Sequence, residues 1–201
     1  MKLYYKTGVC SMASHIILNE TNQNYELDLV DLVAKTTQNG DDYRKVNKMG
    51  YVPALELDSG VVITEGPAIL QYLGDQKPEL NLVGPLGSVE RAKVIGYLNF
   101  VGSELHKAHG PFFKGGSDSE KAAARERLDV LYSYVEGELS AHGPYLTGET
   151  FTIADAYLFV VSNWSAHIDY DLSIYPHLKA FQDKVGARPA VQKTLKSEGL
   201  I

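Results

Sequence analysis

The chain has 201 residues, 44% of them hydrophobic and 22% charged, which is the balance of an ordinary globular protein with one large or two small domains. A net charge of -6, spread along the chain, argues against nucleic acid as a partner. No stretch approaches the roughly 18 to 20 apolar residues of a membrane span, and the N-terminal residues lack the pattern of a signal peptide, so we expect no membrane partner.

The first 75 residues alternate between strand and helix patterns. The predicted elements are, in order, a strand at 2–6, a helix at 10–18, strands at 25–30, 54–58 and 61–64, and a helix at about 66–75. The last two strands form a hairpin around the Ser59-Gly60 turn. A helix between the first two strands implies that they pair in parallel. The order β-α-β followed by β-β-α predicts a thioredoxin-like domain over residues 1–77.

The rest of the chain is almost entirely helical in pattern. A stretch rich in Pro and Gly at 78–87 reads as a linker, and we expect a helical domain over 88–201. The predicted helices are one over 88–110, one with Leu128, Leu131, Val135 and Leu139 on a face, one that begins at Thr152, and one with Leu178, Phe181 and Val185 that ends at Gly186 and Pro189. Thr152 and Asp155 fit a capping box in front of an apolar core helix.

Two short segments outline a binding site for a peptide-like anion. The Val52-Pro53 bond is a candidate cis bond, which would turn the backbone of Val52 toward a ligand instead of a neighbouring strand. Glu65, Gly66 and Pro67 read as the first turn of a helix, whose free N–H groups can hold a carboxylate. The ligand that these segments predict is small, peptidic and anionic.

Cys10 is the only cysteine, so no intrachain disulfide can form and we expect a reducing compartment, the cytoplasm. Its place in a strand-to-helix loop favours a functional thiol, because a helix N-terminus stabilises a thiolate; the alternative is a buried structural cysteine. The segment from Cys10 to Ala13 looks like a thioredoxin C-x-x-C motif without its second cysteine. Ser11 either donates to a thiolate or caps the helix, and the sequence favours the cap.

Asn99, Ser103 and His106 lie at i, i+4 and i+7 of the predicted helix over 88–110 and form a polar stripe. Such a stripe is usually a solvated helix face, and a ligand contact is the alternative. The same two interpretations, core or substrate site, apply to a set of rings in the helical region. The set consists of His109, Phe112, Phe113, Trp164 and His167.

Together these features resemble a known family. A thioredoxin-like domain with an internal Val-Pro and Thr-Glu-Gly, followed by a linker and an all-helical domain, is similar to a cytosolic glutathione transferase. The segments GVCSMASH at 8–15, NGDDY at 39–43 and ELHK at 104–107 resemble the bacterial beta class. The resemblance covers the whole chain and implies an α+β thioredoxin-like N-terminal domain followed by an all-α C-terminal domain.

The resemblance also implies roles for particular residues. Cys10, Ser11 and His106 would be catalytic, and Cys10 could form a mixed disulfide with glutathione. The residues that would surround glutathione are Lys35, Tyr51, Val52, Pro53, Glu65, Gly66, Asn99, Ser103, Glu104 and Lys107. The protein would be a homodimer, with glutathione as co-substrate and no metal.

Within the expected glutathione site, Glu65 would bind the ligand ammonium and the N–H of Gly66 the adjacent carboxylate. Lys35 would be a further carboxylate partner, and Glu104 would reach across the dimer interface. Tyr51 departs from the beta class, which usually has Gln in front of the Val-Pro pair.

Three functions fit this sequence. The leading one is a glutathione transferase, in which the glutathione thiolate attacks a small hydrophobic electrophile held by the helical domain. The second is a glutathione-dependent thiol-disulfide oxidoreductase or peroxidase that uses Cys10. The third is a ligand-binding or regulatory protein without enzymatic activity on the same fold. The presence of Val52, Pro53, Glu65 and His106 argues against this third function.

Overall fold

The computed structural model describes residues 1–201 and divides into two compact units. The first unit consists of Met1–Leu80 with Arg188–Ile201, and the second consists of Asn81–Ala187. In chain order the elements are β1 (Lys2–Tyr5), α1 (Ser11–Glu20), β2 (Glu26–Leu29), β3 (Ala54–Glu56), β4 (Val62–Thr64), α2 (Gly66–Asp75), α3 (Val89–Phe100), α4 (His106–Ala108), α5 (Gly110–Phe113), α6 (Asp118–His142), α7 (Ile153–Asn163), α8 (Pro176–Gly186) and α9 (Pro189–Ser197).

A four-stranded sheet in the order β2-β1-β3-β4 organises the first unit. β1 pairs in parallel with β2 and antiparallel with β3, and β3 forms the antiparallel hairpin with β4. Leu3 and Leu55 face each other in adjacent strands and are buried with Ile16 of α1 and Leu73 of α2. The predicted β-α-β and β-β-α order and the thioredoxin-like fold are therefore confirmed, with each strand slightly shorter than its pattern.

A second cluster of buried residues in the first unit shapes the loop before β3. Tyr4, Val30, Tyr43, Val52 and Ala54 form this cluster. The hydroxyl of Tyr43 donates to the carbonyl of Tyr51 at 2.8 Å. Because Tyr43 is fully buried, this bond fixes the backbone just in front of the Val52-Pro53 pair.

The C-terminal helix α9 belongs to the first unit, in contrast to the helical domain expected over 88–201. It packs on α1, where Val191 is fully buried. Arg188 makes a bidentate ion pair with Glu20, with Nε–Oε1 2.7 Å and Nη2–Oε2 3.0 Å. The helix with Leu178, Phe181 and Val185 ends at Gly186, as expected. Pro189 then occupies the first turn of a further helix that was not predicted, where its missing N–H costs nothing.

Glu198 follows α9 directly, and its buried carboxylate makes hydrogen bonds to Gly8 and His15 of the first unit. One oxygen accepts from the N–H of Gly8 at 2.9 Å, and the other lies 2.8 Å from Nδ1 of His15. Gly8 has φ +71, a conformation that favours glycine. The loop that leads into α1 is therefore fastened by the C-terminal segment.

In the second unit, α7 is the central helix, and every residue from Ile153 to Ser162 is buried. Its predicted capping box is present. One oxygen of Asp155 accepts from the N–H of Thr152 at 2.8 Å and from its hydroxyl at 2.7 Å, and the other accepts from the N–H of Leu146 at 2.9 Å. None of the helices combines the length and apolarity needed to cross a bilayer.

The single helix expected over 88–110 is interrupted. A π-helical turn at Val101–Leu105 separates α3 from the short α4, and α5 begins at Gly110. A π turn adds a residue to the helical repeat and is found mostly in short stretches at functional sites. The polar stripe of Asn99, Ser103 and His106 was inferred from regular α-helical geometry, and the π turn interrupts that geometry between Asn99 and His106.

Candidate functional site

Cys10 stands at the N-terminus of α1 and is partly exposed. Its Sγ lies 3.4 Å from the carbonyl oxygen of Val52. Because a carbonyl oxygen only accepts, the thiol donates in this contact and is protonated. The structure thus brings Cys10 next to the Val52-Pro53 pair, as the peptide-site hypothesis requires.

Ser11 serves the structure in a way that neither sequence interpretation anticipated. Its side chain is fully buried, and Oγ both accepts from the N–H of Lys6 and donates to the carbonyl of Lys6, each at 3.1 Å. It makes no capping bond to α1. In the structure the hydroxyl bonds the backbone of Lys6 instead of capping α1, and it fixes the loop in front of Cys10. The expected bond to a thiolate stays a prediction.

The Val52-Pro53 bond is cis, as its sequence context predicted. The carbonyl in front of it, that of Tyr51, accepts from Tyr43 and also from Nδ2 of Asn47 at 2.8 Å. The N–H of Val52 has no hydrogen-bond partner within the protein. A fixed loop therefore leaves one backbone donor available.

Glu65 and Gly66 open α2, and both lie close to this loop. An added Cβ at Gly66 would be 3.8 Å from Cγ of Pro53, so the two predicted segments meet in the structure. Glu65 has φ +70, which is uncommon for a residue other than glycine and is typical of functional sites. Its carboxylate is exposed and does not cap α2.

Lys35 and Tyr51 lie beside each other at the same edge of the first unit. Nζ of Lys35 donates to the carbonyl of Gly50 at 2.9 Å and is 5.6 Å from the centre of the Tyr51 ring. An ammonium has three donors, so this bond leaves two of them. Tyr51 as a residue is 59% exposed, so the aromatic replacement of the usual Gln adds apolar surface here.

His106 is a partly buried polar residue of the second unit that is held by two aromatic neighbours. Its Nδ1 lies 2.7 Å from the hydroxyl of Tyr157, and its ring meets Trp164 edge-on with the centroids 4.8 Å apart. Burial, with smaller contributions from Lys107, His109 and Lys114, lowers the pKa of His106 to about 4. The imidazole is therefore neutral near pH 7.

The other polar residues expected from this region are exposed. Asn99, Ser103, Glu104 and Lys107 all reach the surface of the second unit. Glu104, expected to reach a partner subunit, pairs within its own chain with Nη2 of Arg127 at 2.6 Å. No local sequence pattern predicts this pair, because the two residues are 23 positions apart on different helices.

The ring set divides between core and surface. His109 and Trp164 are buried, as the core interpretation predicts. Phe113 is 53% exposed and meets Trp164 edge-on, and His167 is exposed. Phe112 lies under Arg125, whose guanidinium carbon is 5.3 Å from the ring centre. No group of three or more His, Cys, Asp or Glu residues is placed to hold a metal ion.

Comparison with known proteins fits this geometry. Residues 8–76 match the model of the glutathione S-transferase N-terminal domain, and residues 100–189 match that of its C-terminal domain. The chain is 44% identical, over all of both sequences, to glutathione S-transferase GstA of Escherichia coli O157:H7. The chain belongs to the glutathione S-transferase family.

Solved structures place this transferase within a class. It is similar to a ternary complex of BphK, a bacterial transferase, with 50% identity, TM-score 0.97, and coverage of 99% of this chain and 100% of the other. A beta-class transferase from Sphingomonas chungbukensis has 44% identity and TM-score 0.96, and a sphingomonad transferase complexed with glutathione has 43% and 0.95, each with full coverage of both chains. The resemblance to the bacterial beta class is confirmed.

Sequence reasoning missed several residues that hold the candidate residues in place within each unit. Lys6 holds Ser11, Asn47 holds the carbonyl of Tyr51, and Tyr157 bonds His106. Each acts through a contact between residues far apart or through the backbone. No local pattern in the sequence marks such contacts.

Proposed function

We propose that this transferase binds glutathione where Val52 and Pro53 meet Glu65 and Gly66. The observation that carries the proposal is the packing of Gly66 against Pro53, beside a Val52 N–H without a partner in the protein. An extended tripeptide offers a carbonyl oxygen to Val52 and a carboxylate to the N-terminus of α2. Glu65 complements its ammonium group.

The proposed reaction transfers the glutathione sulfur to a small hydrophobic electrophile. The thiol gives up its proton, the sulfur forms a bond to the electrophilic carbon, and with an aryl halide the halide leaves with the electrons of the broken bond. His106 is proposed to stabilise the sulfur as a neutral hydrogen-bond donor, since its pKa of about 4 keeps it uncharged. Lys35 and Lys107 are proposed partners of the glutathione carboxylates.

A turnover assay with glutathione tests this function directly. The pure protein is given an aryl halide and, in parallel, a mixed disulfide. Conjugation of the halide supports the transferase proposal. Turnover of the disulfide alone would favour the oxidoreductase, and no turnover of either would favour a binding protein.

Replacing Glu65 with Ala should weaken glutathione binding by about 1.5 to 3 kcal/mol, the usual contribution of a hydrogen bond to a charged group. Calorimetric titration of glutathione measures the change. Glu65→Gln keeps the shape of the side chain and removes only its charge, so it separates charge from backbone effects at this positive φ. Glu79→Ala, another exposed glutamate of the first unit, is the matched control and should leave the affinity unchanged. Equal affinity in all four proteins would refute the assignment.

The oxidoreductase function remains a second candidate because of one observation, the partly exposed thiol of Cys10 beside the proposed ligand backbone. In this reaction a Cys10 thiolate attacks oxidised glutathione, a sulfur-sulfur bond forms to the protein, and reduced glutathione leaves. A single cysteine and a cytoplasmic, reducing location are compatible with such a cycle.

We also propose that the transferase is a homodimer. Apolar residues lie exposed on α3 and α6, namely Val89, Val130 and Tyr134, and Tyr134 meets Phe100 edge-on at 5.0 Å. Exposed apolar surface of this kind is typical of protein interfaces. It supports burial against a second copy.

Sedimentation at low micromolar concentration should therefore give about twice the chain mass of 22.1 kDa. Tyr134→Glu places a charge within the apolar surface and should shift the equilibrium toward monomer. Val33→Glu, which changes an exposed valine of the first unit, should not. A fully active wild-type monomer would rule out the dimer.

A further inference from the structure

Tyr157 is a buried tyrosine of α7 whose hydroxyl lies 2.7 Å from Nδ1 of His106. The two rings are nearly perpendicular, at 89°, with the centroids 6.1 Å apart. We infer that Tyr157 is a positioning residue that holds His106 in the tautomer with its proton on Nε2. The consequence for catalysis rests on the proposed function, whereas the tautomer itself does not.

The direction of the bond follows from the chemistry of the two groups. A neutral imidazole has one N–H donor and one bare nitrogen acceptor, and a phenol can donate or accept. The phenol O–H is a far stronger acid than an imidazole N–H, and the bare imidazole nitrogen is a better acceptor than a phenol oxygen. The hydroxyl of Tyr157 therefore donates to Nδ1. The ring proton is left on Nε2.

His109, one helical turn further along, has the opposite tautomer and provides an internal contrast. Its Nδ1 lies 2.9 Å from the carbonyl of Leu105, and a carbonyl can only accept, so Nδ1 carries the proton. Its Nε2 is then the acceptor for the hydroxyl of Tyr132 at 3.2 Å. The backbone sets the tautomer of His109, whereas a side chain sets that of His106.

The Nε2 tautomer suits the role proposed for His106. Nε2 has no hydrogen-bond partner within the protein, and His106 is only partly buried, so an N–H there is available to a ligand. With the proton on Nδ1 instead, Nε2 would present a lone pair and repel a thiolate. Trp164, edge-on at 4.8 Å, further restricts the ring. Tyr157 thus determines whether the side chain offers a donor or an acceptor.

The ring nitrogen resonances of His106 in the free protein test this inference by NMR near pH 7, without glutathione. In the wild type we expect a protonated Nε2 and a bare Nδ1, assigned by their loss in His106→Asn. In Tyr157→Phe the Nε2-protonated fraction should fall and the shifts should move toward an average of the two tautomers. The matched control, Tyr132→Phe, removes a buried hydroxyl from His109 and should leave the His106 pattern unchanged.

Activity then connects the tautomer to catalysis. Tyr157→Phe should lower kcat about tenfold, less than the roughly hundredfold or more that a direct acid-base group contributes, because His106 itself is kept; KM for glutathione should change less than twofold. A wild-type spectrum with the proton on Nδ1 overturns the inference, even if the variant fails to fold. So does an unchanged His106 pattern in folded Tyr157→Phe. A failure of the proposed function would abolish turnover in the wild type and leave the spectra as expected.

Discussion

Replacing Asp155 with Ala should lower the free energy of unfolding by about 3 kcal/mol, because buried donors would lose their acceptor. The carboxylate is fully buried and accepts from two backbone N–H groups and one hydroxyl, those of Leu146 and Thr152. These bonds fix both the start of α7 and the chain in front of it. Since α7 is buried all round, its start is coupled to the core of the second unit.

Denaturant unfolding of the wild type and of Asp155→Ala at pH 7 measures this loss. Glu120→Ala is the matched control, because Ser117 and Glu120 form the same capping box at the start of α6 on an exposed surface. There water can replace the lost partner, so the control should lose clearly less stability. Equal losses of stability in the two variants would mean that burial does not increase the contribution of a capping box to the free energy of unfolding.

The same residue should make stability depend on pH. Burial raises the pKa of Asp155 to about 6 from 3.8, against the opposing effect of its hydrogen bonds. A folded-state pKa above the unfolded one means that the part of the Asp155 contribution linked to its titration is complete below about pH 4 and is lost as the pH rises through 6. The hydrogen bonds to Leu146 and Thr152 supply the part that remains at pH 7. The wild type should therefore lose stability relative to Asp155→Asn between pH 4 and 7. If the wild type instead gained stability relative to Asp155→Asn over this range, the hydrogen bonds would lower the pKa of Asp155 by more than burial raises it.

Local patterns predicted the elements that local physics determines. Strand alternation, the turn at Ser59-Gly60 and the helix start at Gly66 were read correctly, because pattern and turn chemistry act within a few residues. The capping box of Thr152 and Asp155 was also correct, since it spans three residues. The sequence also predicted that the Val52-Pro53 segment and the helix start at Glu65 form one binding site, and Pro53 and Gly66 lie close together in the structure.

Features that depend on packing could not be read in this way. The helix end at Gly186 and Pro189 was read correctly, but the further helix α9 that begins at Pro189 was not predicted, because it is stabilised by its contact with α1. The π turn at 101–105 leaves no mark in a sequence with helical spacing on both sides. A serine at the start of a helix often caps it, but the hydroxyl of Ser11 bonds the backbone of Lys6 instead, which depends on how the chain packs.

Exposure to oxidised glutathione should convert the transferase into a single adduct at Cys10, and Cys10→Ala should form none. The adduct can form only at Cys10, because Cys10 is the only cysteine. In the structure its thiol donates to the carbonyl of Val52 at 3.4 Å, the residue that we propose pairs with the cysteinyl unit of glutathione. The two sulfurs are therefore expected to be neighbours when the ligand is bound.

Two neighbouring thiolates repel each other, so Cys10 and bound glutathione should not be ionised together, and one thiol should hydrogen-bond the other. Cys10→Ala should consequently lose thiol-disulfide exchange and keep part of the conjugating activity, since His106 and the N-terminus of α1 can still stabilise the glutathione thiolate. Intact-protein mass spectrometry before and after addition of a reductant detects the adduct and its removal. The control is Ser14→Ala, which changes a buried residue near the middle of α1 and should still form the adduct. A native protein that forms no adduct, together with a Cys10→Ala variant that keeps every activity, would identify Cys10 as a structural residue.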